Sequence, residues 1–278
     1  MSNEEKIKEL VKQKYSEIAL QDKETASCGC GSGCCSTELF SMMTEDYSQL
    51  EGYNEDADLG LGCGLPTKFA GIKAGDTVID LGSGAGNDCF VARAETGETG
   101  KVIGIDFSEA MITKARENVA KRGYNNVTFR QGDIEKMPVG GNFADVVVSN
   151  CVLNLLPKKD KIFKEIFRVL KPGGHFCISD VVLEGELPAK LKEAAEMYVG
   201  CVAGASQKNY YLIEIFSAGF VQVKVVKETP IVIPEEILEN FLNPEEISIM
   251  KEGNVRILSI TVTGVKPENG CGCKPGCC

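Results

Sequence analysis

The chain has 278 residues, with 30 Lys plus Arg against 40 Asp plus Glu, so its formal net charge is −10. This charge should repel nucleic-acid phosphates and anionic lipid headgroups, so we expect neither nucleic acid nor membrane as a partner. A membrane helix needs an apolar run of about 18 residues, and a secretory signal needs an apolar core. The sequence shows neither feature, which predicts a cytoplasmic protein.

The first elements predicted are an amphipathic helix over residues 4–20 and a loop of Cys, Gly, Ser and Thr over residues 25–37. Residues 38–72 are predicted to form short helices interrupted by glycines. We take 1–37 as an N-terminal unit made of the helix and the Cys-rich loop.

Strands and helices alternate from residue 77 onward. The predicted strands are Thr77–Leu81, Lys101–Ile105, Val127–Gln131, Phe143–Ser149 and His175–Asp180, and the predicted helices begin at Asn87 or span Ser108–Arg122 and Lys158–Leu170. This alternation predicts an α/β fold with a doubly wound, mostly parallel sheet. The Lys-Pro-Gly-Gly sequence at 171–174 is predicted to stop a helix and form a turn.

The remaining chain is predicted to add two helices within residues 188–218 and two closing strands, Phe220–Lys227 and Arg256–Val265. The expected organisation is a cofactor-binding domain with an N-terminal lid at 38–180 and a smaller C-terminal α+β part at 181–265 that binds substrate and completes the sheet. A mobile Cys-rich tail is expected at 266–278.

Two octapeptides, residues 28–35 and 271–278, differ only at their fourth and fifth positions and contain eight of the 13 cysteines. They are too short and too far apart to stack as a solenoid. Thiols stay reduced in the cytosol, where cysteine clusters indicate metal binding or catalysis more often than disulfides. We interpret the octapeptides as two flexible thiol patches that flank one folded body.

A glycine loop at residues 82–86 follows the first strand and precedes a helix, which is typical of cofactor sites at the carboxyl end of a parallel sheet. Asn87 breaks the dinucleotide fingerprint, and Asp80 would repel a pyrophosphate. The pattern favours S-adenosylmethionine, with Asp80 near its ammonium group, Asp106 accepting from the ribose hydroxyls and Asp133 accepting from the adenine amino group. The alternative is an ordinary tight turn with solvated acids.

Three cysteines outside the octapeptides are candidates for chemistry: Cys63, Cys151 and Cys201. Glycines flank Cys63 and lie near Cys201, so we expect little apolar wall around either sulfur. Cys89 and Cys177 are predicted to be buried core residues. The single histidine, His175, is assigned a structural role, which leaves soft thiolate coordination of a thiophilic ion.

Several segments resemble the arsenite S-adenosylmethionine methyltransferases over a stretch from about Cys34 to Gly219. They are Asp80–Cys89, Val148–Leu155 and Arg168–Gly174, together with the cysteine segments Gly62-Cys63-Gly64 and Gly200–Ala205. The resemblance implies a Rossmann-like methyltransferase with a seven-stranded sheet, and trivalent arsenic held by Cys63, Cys151 and Cys201. Cys34 and Cys35 compete for a further family position near the N-terminus.

The cofactor residues expected from the loop and the resemblance together are Asp80, Gly82, Ser83, Gly84, Gly86, Asn87, Asp106, Phe107, Met111, Asp133, Ile134 and Asn150. Arsenic(III) bound by three sulfurs keeps a lone pair and can attack a sulfonium methyl without a base, which suits a chain with one histidine. The reaction oxidises arsenic, so a thiol reductant such as glutathione or thioredoxin is the expected partner of a monomeric enzyme. Two alternatives remain open: a methyltransferase for a small organic acceptor, and a non-enzymatic thiol binder of soft metals.

Overall fold

The computed structural model describes residues 3–20, 45–193, 202, 204–252 and 255–268. The loop at 25–37 with Cys34 and Cys35, the candidate ligand Cys201 and the C-terminal octapeptide therefore lie outside the described residues. No helix within the described ranges is long and apolar enough to cross a membrane.

The elements follow the predicted alternation, with Pro66–Ala70 the only helix described in the 45–72 segment. The helices are α1 (Asn3–Leu20), α2 (Pro66–Ala70), α3 (Asn87–Thr96), α4 (Glu109–Arg122), α5 (Lys159–Val169), α6 (Ala189–Glu193), α7 (Lys208–Ser217), α8 (Glu235–Leu238) and α9 (Pro244–Glu252). The strands are β1 (Thr77–Leu81), β2 (Lys101–Asp106), β3 (Val127–Gln131), β4 (Ala144–Asn150), β5 (Leu170–Glu184), β6 (Ser206–Gln207), β7 (Val221–Ile231) and β8 (Arg256–Val265).

The strands form one sheet in the order β3-β2-β1-β4-β5-β8-β7, and the two-residue β6 pairs with β5. Strands β1 to β5 run parallel to one another, whereas β8 runs antiparallel to both β5 and β7. The predicted doubly wound, mostly parallel sheet is confirmed, with seven strands along the main path. The chain order reverses between β1 and β4, and open α/β sheets bind ligands at such a switch point.

Local signals set several element ends. The Ser108 hydroxyl accepts from the N–H of Met111 and caps α4 at its start, and Gly123 ends that helix in a left-handed conformation. The single histidine is structural as predicted, because its ring bonds the carbonyl oxygen of Ala70 and so joins β5 to the end of α2.

The sheet is continuous across the predicted boundary between domains at 180/181, and the C-terminal part completes it. Strand β5 continues through that point to Glu184, and it pairs with β8 from His175 to Glu184. The predicted turn at residues 171–174 is also part of β5, which restarts beside β4 after a register shift. One continuous ladder therefore joins the two expected parts.

The first residue of the expected tail, Lys266, is bonded to the folded body. The Lys266 ammonium donates to the carbonyl oxygens of Phe167 and Leu170, each at 2.7 Å, and lies 4.8 Å from the centre of the Phe167 ring. Its backbone also bonds to Gly173 and Gly174. Lys266 thus ties the end of β8 to the C-terminus of α5, where a cation is favourable.

Candidate active site

The glycine loop after β1 is held against the end of β2. Gly82, Gly84 and Gly86 all have positive φ angles, of 65°, 51° and 101°. A Cβ atom on Gly82 would lie 2.3 Å from the Val152 side chain, so this position has no room for a larger residue. The Gly82 N–H donates to the carbonyl oxygen of Ile105 at 2.8 Å, which fixes the loop at the switch point.

Asp106 ends β2 and holds the backbone of the glycine loop and of the start of α4. Its two carboxylate oxygens accept from the backbone N–H groups of Gly84 at 3.0 Å and Ser108 at 2.8 Å. Only 5% of the residue is exposed. Burial raises the pKa of Asp106 to about 6, although these backbone hydrogen bonds lower it.

Two more carboxylates, the buried Asp80 and the half-buried Asp88, line a cavity that Asp106 also lines, here called the first cavity. Burial raises the pKa of Asp80 well above its ordinary value, and the neighbouring Asp88 raises it further. The pKa of Asp88 is also raised by burial, against hydrogen bonds from Tyr47 and Asn150. Within the described residues, none of these carboxylates forms an ion pair with a lysine or arginine. The cavity is therefore complementary to a ligand that carries positive charge and no phosphate.

Helix α1 contributes to the wall of the first cavity. A second cavity lies next to the first, and Asp106 lines both. Val11 of α1 is buried and lines both cavities. Lys8 and Asp133 line the second cavity, and the Lys8 ammonium bonds Asp133 at 2.9 Å and Glu135 at 2.8 Å. The other oxygen of Asp133 accepts from the N–H of Glu135 at 2.8 Å, so both oxygens expected to meet the adenine amino group already have protein partners.

The other predicted cofactor residues lie around the two cavities. Ser83, Asn87, Phe107, Met111 and Asn150 line the first, and Phe107 and Ile134 line the second. Sequence reasoning missed Tyr47, Asp58 and Asp88, together with Val11 and Tyr15 of α1. An available signal was the position of Asp88 in the first turn of α3, directly after the glycine loop.

The expectation that Cys63 lacks apolar neighbours is wrong. Cys63 is 1% exposed and packs in one apolar cluster with Cys151, Leu155 and Val181. The flanking glycines have a different role. A Cβ atom on Gly62 would lie 2.6 Å from the amide nitrogen of Asn150, and one on Gly64 would lie 2.6 Å from the Ser179 hydroxyl.

Cys151 directly follows β4 at the carboxyl edge of the sheet. It adopts a positive φ of 58°, which is unusual for a residue with a side chain, and its N–H donates to the carbonyl oxygen of Ser179 at 2.8 Å. It is 3% exposed and also lines the first cavity. Val202, next to the undescribed Cys201, is buried in the same cluster.

Two of the three predicted thiols, Cys63 and Cys151, therefore belong to one apolar cluster, and Cys151 alone of the two lines the acid-lined cavity. No group of three potential metal ligands is found among the residues that the structure describes. The third thiol, Cys201, falls outside those residues, so its place in the site stays a prediction.

Cys89 and Cys177 are both fully buried, as predicted. Cys177 faces an apolar cluster in mid-strand, and burial raises the pKa of its thiol to about 12. Cys89 also contacts the site, because its thiol donates to the Asp80 carboxylate at 3.3 Å. This contact places it directly behind the carboxylate that we expect to face the cofactor.

Comparison with known proteins places this geometry in a family. The profile described as a methyltransferase domain matches residues 72–219. An arsenite methyltransferase of Halobacterium salinarum is 43% identical over 80% of this chain and 59% of its own length. One from Aquipseudomonas alcaligenes is 31% identical over 97% of this chain and 74% of its own.

The chain belongs to the arsenite methyltransferase family. The crystal structure of an arsenic(III) S-adenosylmethionine methyltransferase from Chlamydomonas reinhardtii agrees, with a TM-score of 0.64 and 30% identity over 84% of this chain and 74% of that one. The predicted family and Rossmann-like fold are therefore confirmed. This member of the family spans about three fifths of the Halobacterium relative's length.

Proposed function

We propose that this protein transfers the methyl group of S-adenosylmethionine to trivalent arsenic held by cysteine thiolates. The observation that carries the proposal is that Cys63 and Cys151 belong to one apolar cluster, and that Cys151 lines a cavity whose carboxylates have no lysine or arginine partner among the described residues. Soft thiolates suit arsenic(III), and the carboxylates suit a cationic cofactor. When bound, S-adenosylmethionine supplies an electrophilic methyl group on a positively charged sulfur.

The residues of the chain have separable tasks in this proposal. Asp80 and Asp88 would face the ammonium group, and Asp106 would accept from the ribose hydroxyls. Cys63 and Cys151, with Cys201, would hold arsenic so that its lone pair points along the methyl–sulfur axis. Val11 of α1 and the apolar cluster exclude water. Because no proton leaves the acceptor, positioning is the main contribution of the protein, and this effect is worth about 7–11 kcal/mol.

We further propose a reducing compartment, the cytoplasm, because arsenic must be captured by thiolates. Methylation formally oxidises arsenic, so an external thiol such as glutathione or thioredoxin would return it to the trivalent state. We expect a monomer, and analytical ultracentrifugation would measure this directly.

One assay tests the proposal against both alternatives. The protein is incubated with arsenite, S-adenosylmethionine and a thiol reductant, and methylated arsenic is measured. Turnover of an organic acceptor without arsenic would instead indicate a methyltransferase for a small organic acceptor. Tight arsenite binding without any affinity for S-adenosylhomocysteine would indicate a thiol binder that is not an enzyme.

Cofactor affinity should depend on Asp106 and on pH. Asp106→Ala should weaken binding of S-adenosylhomocysteine at least about tenfold at pH 7, since charge-assisted hydrogen bonds of ~1.5–3 kcal/mol are lost. Ligand donors favour the ionised carboxylates, so binding should release protons. Affinity should fall at least about tenfold as pH drops from 7 to 5, because the pKa values of Asp106 and Asp88 are both raised to about 6. Calorimetry at both pH values measures this, and equal affinity in a folded Asp106→Ala protein would contradict the ribose assignment.

The C-terminal octapeptide should capture arsenic without taking part in methyl transfer. Because Lys266 is anchored, the informative truncation ends after Glu268. It should leave the maximal rate unchanged and lower the total arsenic bound or the apparent arsenite affinity, as removal of a tethered second site does. Serine at Cys271, Cys273, Cys277 and Cys278 is the matched control at full length and should behave like the truncation. A collapse of the maximal rate would instead make the octapeptide part of the active site.

A further inference from the structure

The side chain of Asn150 joins the segment that contains Cys63 to the first cavity. It ends β4 and directly precedes Cys151. Its amide oxygen accepts from the backbone N–H of Cys63 at 3.0 Å, and its amide nitrogen donates to the Gly64 carbonyl oxygen at 2.8 Å. These two bonds hold the peptide group that precedes Cys63 and the one that follows Gly64, and the close approach explains why position 62 is glycine.

The same amide nitrogen faces the cavity. It donates to Asp88 at 3.3 Å and to the Tyr47 hydroxyl, and that hydroxyl itself lies 2.9 Å from Asp88. Tyr47 is 4% exposed, whereas Asn150 and Asp88 are half-buried, and all three line the first cavity. The Asn150 amide has partners on both sides, so it rotates only at the cost of several hydrogen bonds, each worth about 1–3 kcal/mol when a buried partner is left unsatisfied.

We propose that Asn150 is a positioning residue that holds Cys63, Cys151 and the cofactor-facing Asp88 in one rigid frame and so aligns arsenic with the methyl group. This assignment rests on the proposed function and differs from the expectation that Asn150 is simply a cofactor ligand. A cofactor ligand would chiefly set cofactor affinity. A positioning residue sets the rate of transfer, because a misplacement of about 1 Å can cost about a hundredfold in rate.

The test separates these two roles with Asn150→Ala. We expect kcat to fall about a hundredfold while the affinity for S-adenosylhomocysteine, measured by calorimetry, stays within about threefold. Asn126→Ala is the matched control, because Asn126 also bonds backbone carbonyls at Gly97 and Gly100, on a loop that lines neither cavity. The control should keep the parental kcat. A parental kcat in Asn150→Ala, or a loss confined to cofactor affinity, would overturn the proposal.

A second measurement needs neither cofactor nor turnover. Cys63 is buried while Asn150 holds its segment, so Asn150→Ala should speed alkylation of Cys63 at least about tenfold relative to Cys177 in the same chain, as local opening becomes easier. If Asn150→Ala fails to fold, Tyr47→Phe removes only the hydroxyl between Asn150 and Asp88, and kcat should fall while cofactor affinity holds. Parental Cys63 reactivity in Asn150→Ala, or a parental kcat in Tyr47→Phe, would overturn the role. Failure of the parental protein to methylate arsenic would instead defeat the proposed function.

Discussion

Replacing Cys151 with serine is expected to lower arsenite methylation at least about a hundredfold, because a hydroxyl oxygen is a poor ligand for a soft ion and arsenic would lose its alignment. Cys151 is the thiol whose backbone geometry is most constrained, by a φ of 58° and by the bond from its N–H to Ser179. The serine variant keeps both features. Cofactor binding should therefore persist, and the loss should lie in arsenic capture and transfer.

The measurement is single-turnover formation of methylated arsenic with saturating S-adenosylmethionine, alongside calorimetry with S-adenosylhomocysteine. Cys177→Ala is the matched control, because Cys177 is equally buried but lies in a separate apolar cluster. The control should retain the parental rate if it folds. Cys201→Ser should resemble Cys151→Ser, whereas Cys63→Ser should impair at least the later methylation steps. A parental rate for Cys151→Ser would refute the thiolate site.

The sheet was predictable because its signals are local. Strands Thr77–Leu81, Val127–Gln131 and Arg256–Val265 have the same ends in the sequence prediction and in the structure. Short apolar runs flanked by glycines and polar residues need only their own neighbours to be recognised. By contrast, α8 and α9 were missed, since such short helices carry too few turns for a periodic signal.

The surroundings of Cys63 were not predictable, because its apolar neighbours are far away in the chain. The glycines beside it look like an exposed loop in sequence, yet they allow the segment to press against Asn150 and Ser179. The same limit applies to Asp133, whose partner Lys8 comes from a helix more than a hundred positions earlier. Local sequence therefore identified the residue types of the site, and tertiary packing selected their partners.

A buried lysine that contacts the loop following Cys151 should be the main determinant of stability near the site. Lys159 begins α5, and only 5% of it is exposed. Its ammonium donates to the carbonyl oxygens of Leu156 at 3.0 Å and Gly204 at 3.2 Å. It thereby joins the loop that follows Cys151 to the segment that follows Cys201. Burial lowers the pKa of Lys159, whereas the nearby Asp180 and Glu214 raise it.

Lys159→Met is expected to lower the free energy of unfolding by about 3 kcal/mol or more, because it leaves the buried Asp180 without its compensating cation. Asp180 already has its pKa raised to about 7 by burial, and Lys159 and the Tyr211 hydroxyl act against that shift. A folded pKa above the unfolded value of 3.8 means that folding takes up a proton, so Asp180 reduces stability as pH rises from about 4 to 7. Without Lys159 this loss should be larger and extend above pH 7.

Urea unfolding at pH 5, 7 and 8.5 measures both effects, and Lys164→Met is the matched control on the same helix. Lys164 is largely exposed and pairs with Asp160 at 3.0 Å, so its loss should cost less than about 1 kcal/mol at every pH. Adding Asp180→Asn to Lys159→Met removes the uncompensated charge and should restore much of the stability at pH 8.5. If Lys159→Met and Lys164→Met unfold alike, the ammonium is not holding the two loops together. A stability loss that does not grow with pH would point to the two carbonyl oxygens, and not to Asp180, as the groups that need Lys159.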